Sequence, residues 1–261
     1  MEYLIPETSL ITVGKEPFEN ATRFTIEPLS PGFGVTFGNS LRRILLSSLP
    51  GAAITTIKID GITHEFTHIN GMREDVVELI LNLKKISVKS FSEDPVTLTL
   101  DVKGPKKITT DDISKNPSIE FASGQYIAQL SEKAKFKAEI TIEQGRGYVS
   151  SDLKKEQKLP LGTIAMDAIY SPIVKVNFSA ENTRLGRITN FDKLVLDIET
   201  NGTISGEEAL STALKIYSEH ITKIADADVL KKVEKPVTKK KSVKKSKKEK
   251  IKETVDTKIE E

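Results

Sequence analysis

Apolar and polar residues alternate along several stretches of the chain, as a strand with one buried face requires. In 95–103 the inward set is Val96, Leu98, Leu100 and Val102; in 135–143 it is Phe136, Ala138, Ile140 and Ile142. Residues 22–27 and 174–179 alternate likewise, and in 193–199 Leu194, Leu196 and Ile198 share one face. Asp60-Gly61 separates two alternating runs. That pair favours a two-residue turn, so a hairpin is expected there.

Three segments change to a helical period: 38–49, 74–86 and 206–226. The second opens with acids and ends with lysines, as the helix dipole prefers. Ser205 followed by Glu208 forms a capping box for the third, just after the turn pair Asn201-Gly202. Helices and strands do not alternate regularly, so the expected fold class is α+β. The stretches 104–118 and 154–162 lack periodicity and are expected to be exposed loops.

The first helix is unusually apolar. At about 100° per residue, Leu41, Ile44, Leu45, Ser48 and Leu49 form one stripe and Leu46 widens it. A helix lying on one sheet needs a narrower band, so a second apolar neighbour is expected, with Ser47 and Ser48 small enough for close approach. Arg42 borders the stripe, while Arg43 points with Ser40 and Ser47 to the other side. A guanidinium there suits carboxylates or carbonyls of a partner, or else it is solvated or paired within the chain. In the third helix Leu210, Leu214, Tyr217, Ile221 and Ile224 are spaced 4, 3, 4, 3. Such a seam is too short for a free coiled coil but sufficient for a helix pair. Self-association satisfies both helices.

Composition narrows the chemistry. Cysteine is absent, which excludes disulfides, thiolate zinc ribbons and thiol catalysis. No signal peptide and no run of membrane-spanning length is visible, so a soluble protein without membrane partners is expected. Net charge is +2, yet residues 231–261 hold 13 of the 39 basic and six of the 37 acidic residues. With so little apolar content beyond Pro236, this lysine-rich tail is expected to be disordered. Residues 64–68 fit H-E-x-x-H, but zinc chemistry needs both histidines on one helical face. On a strand, positions four apart are separated by about 13 Å, so no metal site is assigned. Gly32-Phe33-Gly34 is expected to be a turn into the first helix, and the glycine-rich run 144–148 a loop between strands at a subunit surface. No pair of carboxylates has the spacing of an acid/base couple.

The runs 27–66, EDVVELILNLKKI (74–86), QGRGY (144–148), MDAIYSP (166–172) and 191–210 closely resemble the N-terminal domain of the bacterial RNA polymerase α subunit. The resemblance extends in order over about residues 10–226. It implies a dimerisation subdomain, a sheet plus two long helices, from residues 1–50 and 173–230. An inserted mixed α/β subdomain would occupy 51–172, and the tail 231–261. It also implies a homodimer that scaffolds the β and β′ subunits for transcription, with nucleotidyl transfer and its magnesium belonging to those partners. No catalytic residue and no cofactor are expected here. The dimer interface would include Leu41, Ile44, Leu45, Leu49, Leu210, Leu214, Tyr217, Ile221 and Ile224. The motif at 38–48 places the β contact on Arg42, Arg43 and Leu46, with Arg43 the critical arginine. The β′ contact would fall on Lys84, Met166, Asp167 and Lys193. A cytoplasmic, nucleoid-associated location follows, or a bacterium-derived organelle. Members of the family usually continue into a helical domain that binds promoter DNA. Here the lysine tail is expected to stand in its place, either as a merely solvated segment or with salt-dependent attraction to DNA phosphates. The alternatives are a stand-alone nucleic-acid-binding protein acting through that tail and, more remotely, a zinc hydrolase.

Overall fold

A computed structural model describes residues 10–15, 20–132, 134–155, 159–185 and 188–226. In chain order, β1 (Leu10–Lys15) and β2 (Ala21–Leu29) precede α1 (Phe33–Ser47) and β3 (Pro50–Ile59). Next come α2 (Val76–Lys84), β4 (Val88–Ser90), β5 (Val96–Lys103), β6 (Lys106–Thr109), β7 (Ile119–Phe121), β8 (Tyr126–Leu130) and β9 (Lys135–Arg146). The chain continues through β10 (Tyr148–Val149), α3 (Ser151–Lys155), β11 (Thr163–Ala165) and β12 (Ala168–Ile169). It ends in β13 (Ile173–Leu185), β14 (Ile188–Thr200) and α4 (Gly206–Ala225). The class is α+β, as expected. The lysine tail, and the proposal that it is disordered, lie outside the described residues.

Two four-stranded antiparallel sheets organise the chain. One has the order β1-β2-β14-β13 and joins strands from both sequence ends; the other is β11-β3-β9-β5. Each has its own core. Phe24, Leu41, Leu45, Leu49, Leu194, Leu196, Ile198, Ala209 and Leu210 close the first, and every member of the second falls between Ile54 and Met166. The inward residues expected from alternation in 96–102, 136–142 and 194–198 are buried, except that Val96 at the start of β5 is only partly so. Burying those side chains, at roughly 25 cal/mol per Å² of apolar surface, is the main force aligning the strands.

Several expectations need correction. Asp60-Gly61 does turn, with Gly61 at φ +77° and the Ile62 N–H donating to the Ile59 carbonyl at 3.2 Å. No hairpin follows. β3 is already flanked by β9 and β11, and the run 62–67 that should have paired is irregular, ending in a single bridge from His68 to Asp75. The histidines of H-E-x-x-H therefore sit on no helix, and His64 is hydrogen-bonded to the Thr67 hydroxyl at 2.9 Å. The stretch 104–118 is not a bare loop: it contains β6, and Ile108 and Ile113 enter the second core. Lys154, in the second expected loop, is buried against Glu143.

The helices start where their amide groups find partners. α2 begins at Val76 rather than 74, because the Asp75 carboxylate accepts the Glu78 N–H at 2.7 Å as an N-cap. Glu74 lies just outside the helix, buried and accepting from the Tyr126 hydroxyl and from the Gln129 N–H at 2.8 Å. Desolvation, and then that carboxylate, pushes the Tyr126 phenol up to about 12. At α4 the capping box is present: the Glu208 N–H donates to Ser205 Oγ at 3.1 Å, and the Ser205 N–H to Glu208 Oε2 at 3.3 Å. Residues 218–226, the end of α4 and Asp226, belong to a unit separate from the residues before them.

Candidate functional site

α1 starts five residues before the expected position, and the cause is glycine. Gly32, at φ +84°, turns the chain into the helix, but Gly34 and Gly38 belong to the helix itself. They form its contact with β13 and β14. A Cβ on Gly34 would lie 3.1 Å from Asp192 and 3.2 Å from Ala180; one on Gly38 would lie 2.4 Å from the Phe178 ring. Close approach of helix to sheet thus depends on these two glycines. Asp192 of β14 also caps the helix from across the sheet, its Oδ2 accepting the Gly34 N–H at 2.9 Å. A carboxylate there satisfies a free amide and faces the positive end of the helix dipole.

Docked this way, α1 buries Leu41 and Leu45, with Leu49 just beyond its end, and half-buries Ile44. Leu46 is exposed, as are Phe33 and Val35 on the first turn. The buried face is therefore narrower than the apolar stripe. Arg42 and Arg43 are both exposed. Among the described residues no carboxylate pairs with either guanidinium. Arg43 does take part in local structure, its carbonyl accepting the Ser47 hydroxyl at 2.7 Å.

The four residues assigned to β′ do not all meet. Lys84, at the last turn of α2, forms an ion pair of 2.7 Å with Asp167 Oδ2. The other oxygen of Asp167 accepts the Ser151 N–H of α3 at 2.9 Å. The Lys84 ammonium, then the Ser151 amide, hold the Asp167 carboxyl at about 2, below the usual carboxylate range. Three segments distant in sequence are thereby tied together. Met166 is adjacent but its side chain is buried in the second core, so within the single chain it supports this corner rather than facing outward. Lys193 is on the other sheet, paired with Glu181 at 3.1 Å across β13 and β14.

The nine residues assigned to the dimer divide similarly. Leu41, Leu45, Leu49 and Leu210 are core residues of the chain itself. Ile44 and Tyr217 are half-buried. Leu214, Ile221 and Ile224 are 40%, 49% and 65% exposed along α4. The exposed and half-buried members offer surface to another molecule; the buried ones position the helices that carry it.

Residues 57–171 match a family model described as the RNA polymerase Rpb3/RpoA insert domain. That stretch is an RNA polymerase α-type insert domain. The match supports an RNA polymerase α-type subunit, and hence a part in a nucleotidyltransferase complex that carries out transcription. Lys84, Met166, Asp167 and Ser151 all lie inside the insert domain. Arg42, Arg43, Leu46, Lys193 and α4 lie outside the matched residues. The sequence resemblance had not assigned Ser151, Asp192, Gly34, Gly38 or Phe178. Only the glycines left a visible signal, two of them four residues apart in an apolar helix. Among the described residues no helix is long and apolar enough to cross a membrane.

Proposed function

We propose that this chain is the assembly scaffold of a DNA-directed RNA polymerase. Two copies associate through α1 and α4, and the dimer then recruits β through Arg42, Arg43 and Leu46. β′ docks at the corner made by Lys84 and Asp167, with Lys193 on the neighbouring sheet. Both ends of the chain build a dimerisation subdomain, which the insert at 51–172 interrupts. Support for this division comes from the first sheet, which joins β1 and β2 to β13 and β14, and from a second core confined to 54–166. Nucleotidyl transfer belongs to the partners, and the complex works in the cytoplasm on the nucleoid. The lysine tail adds salt-dependent affinity for DNA phosphates.

The observation that carries this reading is the arginine pair on α1. A charged pair with no carboxylate partner among the described residues, on a helix fixed by Asp192 and Gly38, is ready for an acidic partner without further ordering. Co-purification tests it with tagged wild type, Arg43→Ala and Lys84→Ala, each co-expressed with β and β′. Arg43→Ala should lose β, and Lys84→Ala should keep β and lose β′. Full retention of β by Arg43→Ala would exclude the assignment.

A further inference from the structure

The glycine-rich run 144–148 meets the C-terminal end of the arginine helix. β9 ends at Arg146, Gly147 turns the chain at φ +65°, and β10 begins at Tyr148. This turn touches the end of α1: a Cβ on Gly147 would lie 3.3 Å from the Ser47 carbonyl oxygen. Ser47 is one helical turn from Arg43 and bonded to it. Arg146 is the cross-strand partner of Pro50, the first residue of β3 after the helix.

The turn is held firmly. The Tyr170 N–H donates to the Gly147 carbonyl at 2.8 Å. Gly145 leaves space for the Tyr170 ring, which a Cβ would approach to 2.7 Å, and Gly51 leaves space for its carbonyl, which a Cβ would approach to 1.9 Å. Ala168 and Tyr170 are buried with Ala53, and Val149 packs on them, so one face of the β10–β12 ribbon is anchored. The opposite face carries the directly paired Tyr148 and Ile169, 61% and 56% exposed. An aromatic and a β-branched residue side by side on the outward face of a fixed ribbon are costly to leave in water unless something covers them.

We infer that the Gly147 turn and the Tyr148–Ile169 pair extend the Arg43 surface into one docking site for a carboxylate-bearing segment of the β subunit with apolar flanks. This rests on the assignment of β to Arg43. Charge selects the occupant: Arg42, Arg43 and Arg146 have no carboxylate partner among the described residues, so an acidic segment is complementary. Aromatic and arginine side chains on a rigid frame are also the types that dominate interface energetics.

The test uses full-length chain in the assembled polymerase, with a benzophenone-bearing phenylalanine in place of Tyr148. Irradiation should give a crosslink to β. A crosslink to a second copy of this chain, to β′ or to DNA, or none, would overturn the inference. In parallel, Arg146→Ala/Tyr148→Ala should weaken β retention about tenfold while its melting temperature stays at the wild-type value. Loss of β by Arg43→Ala but not by the double variant would reject the extended site and leave the underlying assignment intact. Retention of β by Arg43→Ala would reject both.

Discussion

Gly38→Ala should destabilise this chain, although alanine in place of a helical glycine ordinarily does the reverse. In an exposed helix the exchange gains about 1 kcal/mol, because alanine restricts the unfolded backbone. Here the new methyl would lie 2.4 Å from Phe178 Cδ2 and within 2.9 Å of its Cγ. The ring cannot avoid it by moving its tip alone. Overpacking of this kind costs about 1–3 kcal/mol, so the net change is a loss of about 1 kcal/mol. In a Phe178→Ala background the clash disappears, and Gly38→Ala should then stabilise by about 1 kcal/mol. Urea denaturation of the four proteins at one fixed concentration gives the cycle, with an expected coupling of about 1–3 kcal/mol. If Gly38→Ala stabilises equally in both backgrounds, α1 does not rest on β13 through this glycine. The placement of Arg43 derived from that contact would fail with it.

Asp167 supplies a pH prediction. Its folded pKa of about 2 lies below the ordinary carboxylate value of about 4. The stabilisation is therefore complete above about pH 4 and is lost as pH falls toward 2. Asp167→Asn should cost about 1–2 kcal/mol at pH 7, allowing for partial exposure of the pair, and should flatten the stability profile between pH 4 and 2; denaturant midpoints across that range check it. Ser205→Ala should cost about 1 kcal/mol through the lost cap of α4, and Ser205→Gly a few tenths, by the same unfolding assay.

The strands were legible because each buries alternate side chains, and alternation survives in sequence whatever the partner strand. The start of α4 was legible for a local reason, since its capping box lies within four residues. α1 was misjudged at its start because the residue that caps it, Asp192, is 158 positions away. Gly34 reads in sequence as part of a turn, whereas in the fold it is a helix residue in contact with the sheet. The missing hairpin after Gly61 has a similar origin: the turn chemistry was present, but both edges of β3 were already taken by distant strands. Lys84 and Asp167 could be assigned from motifs, yet only the fold shows that they neutralise each other and that Ser151 completes the group. A short pattern cannot contain a contact made across the chain.

Light scattering on the size-excluded protein decides whether a dimer of this chain assembles β. Wild type should have the mass of two chains. Leu214→Asp, which places a charge on the exposed face of α4 outside the core, should have the mass of one and recruit no β. A wild-type monomer, or a Leu214→Asp variant that remains dimeric and still binds β, would exclude dimerisation through α4 as the basis of β recruitment.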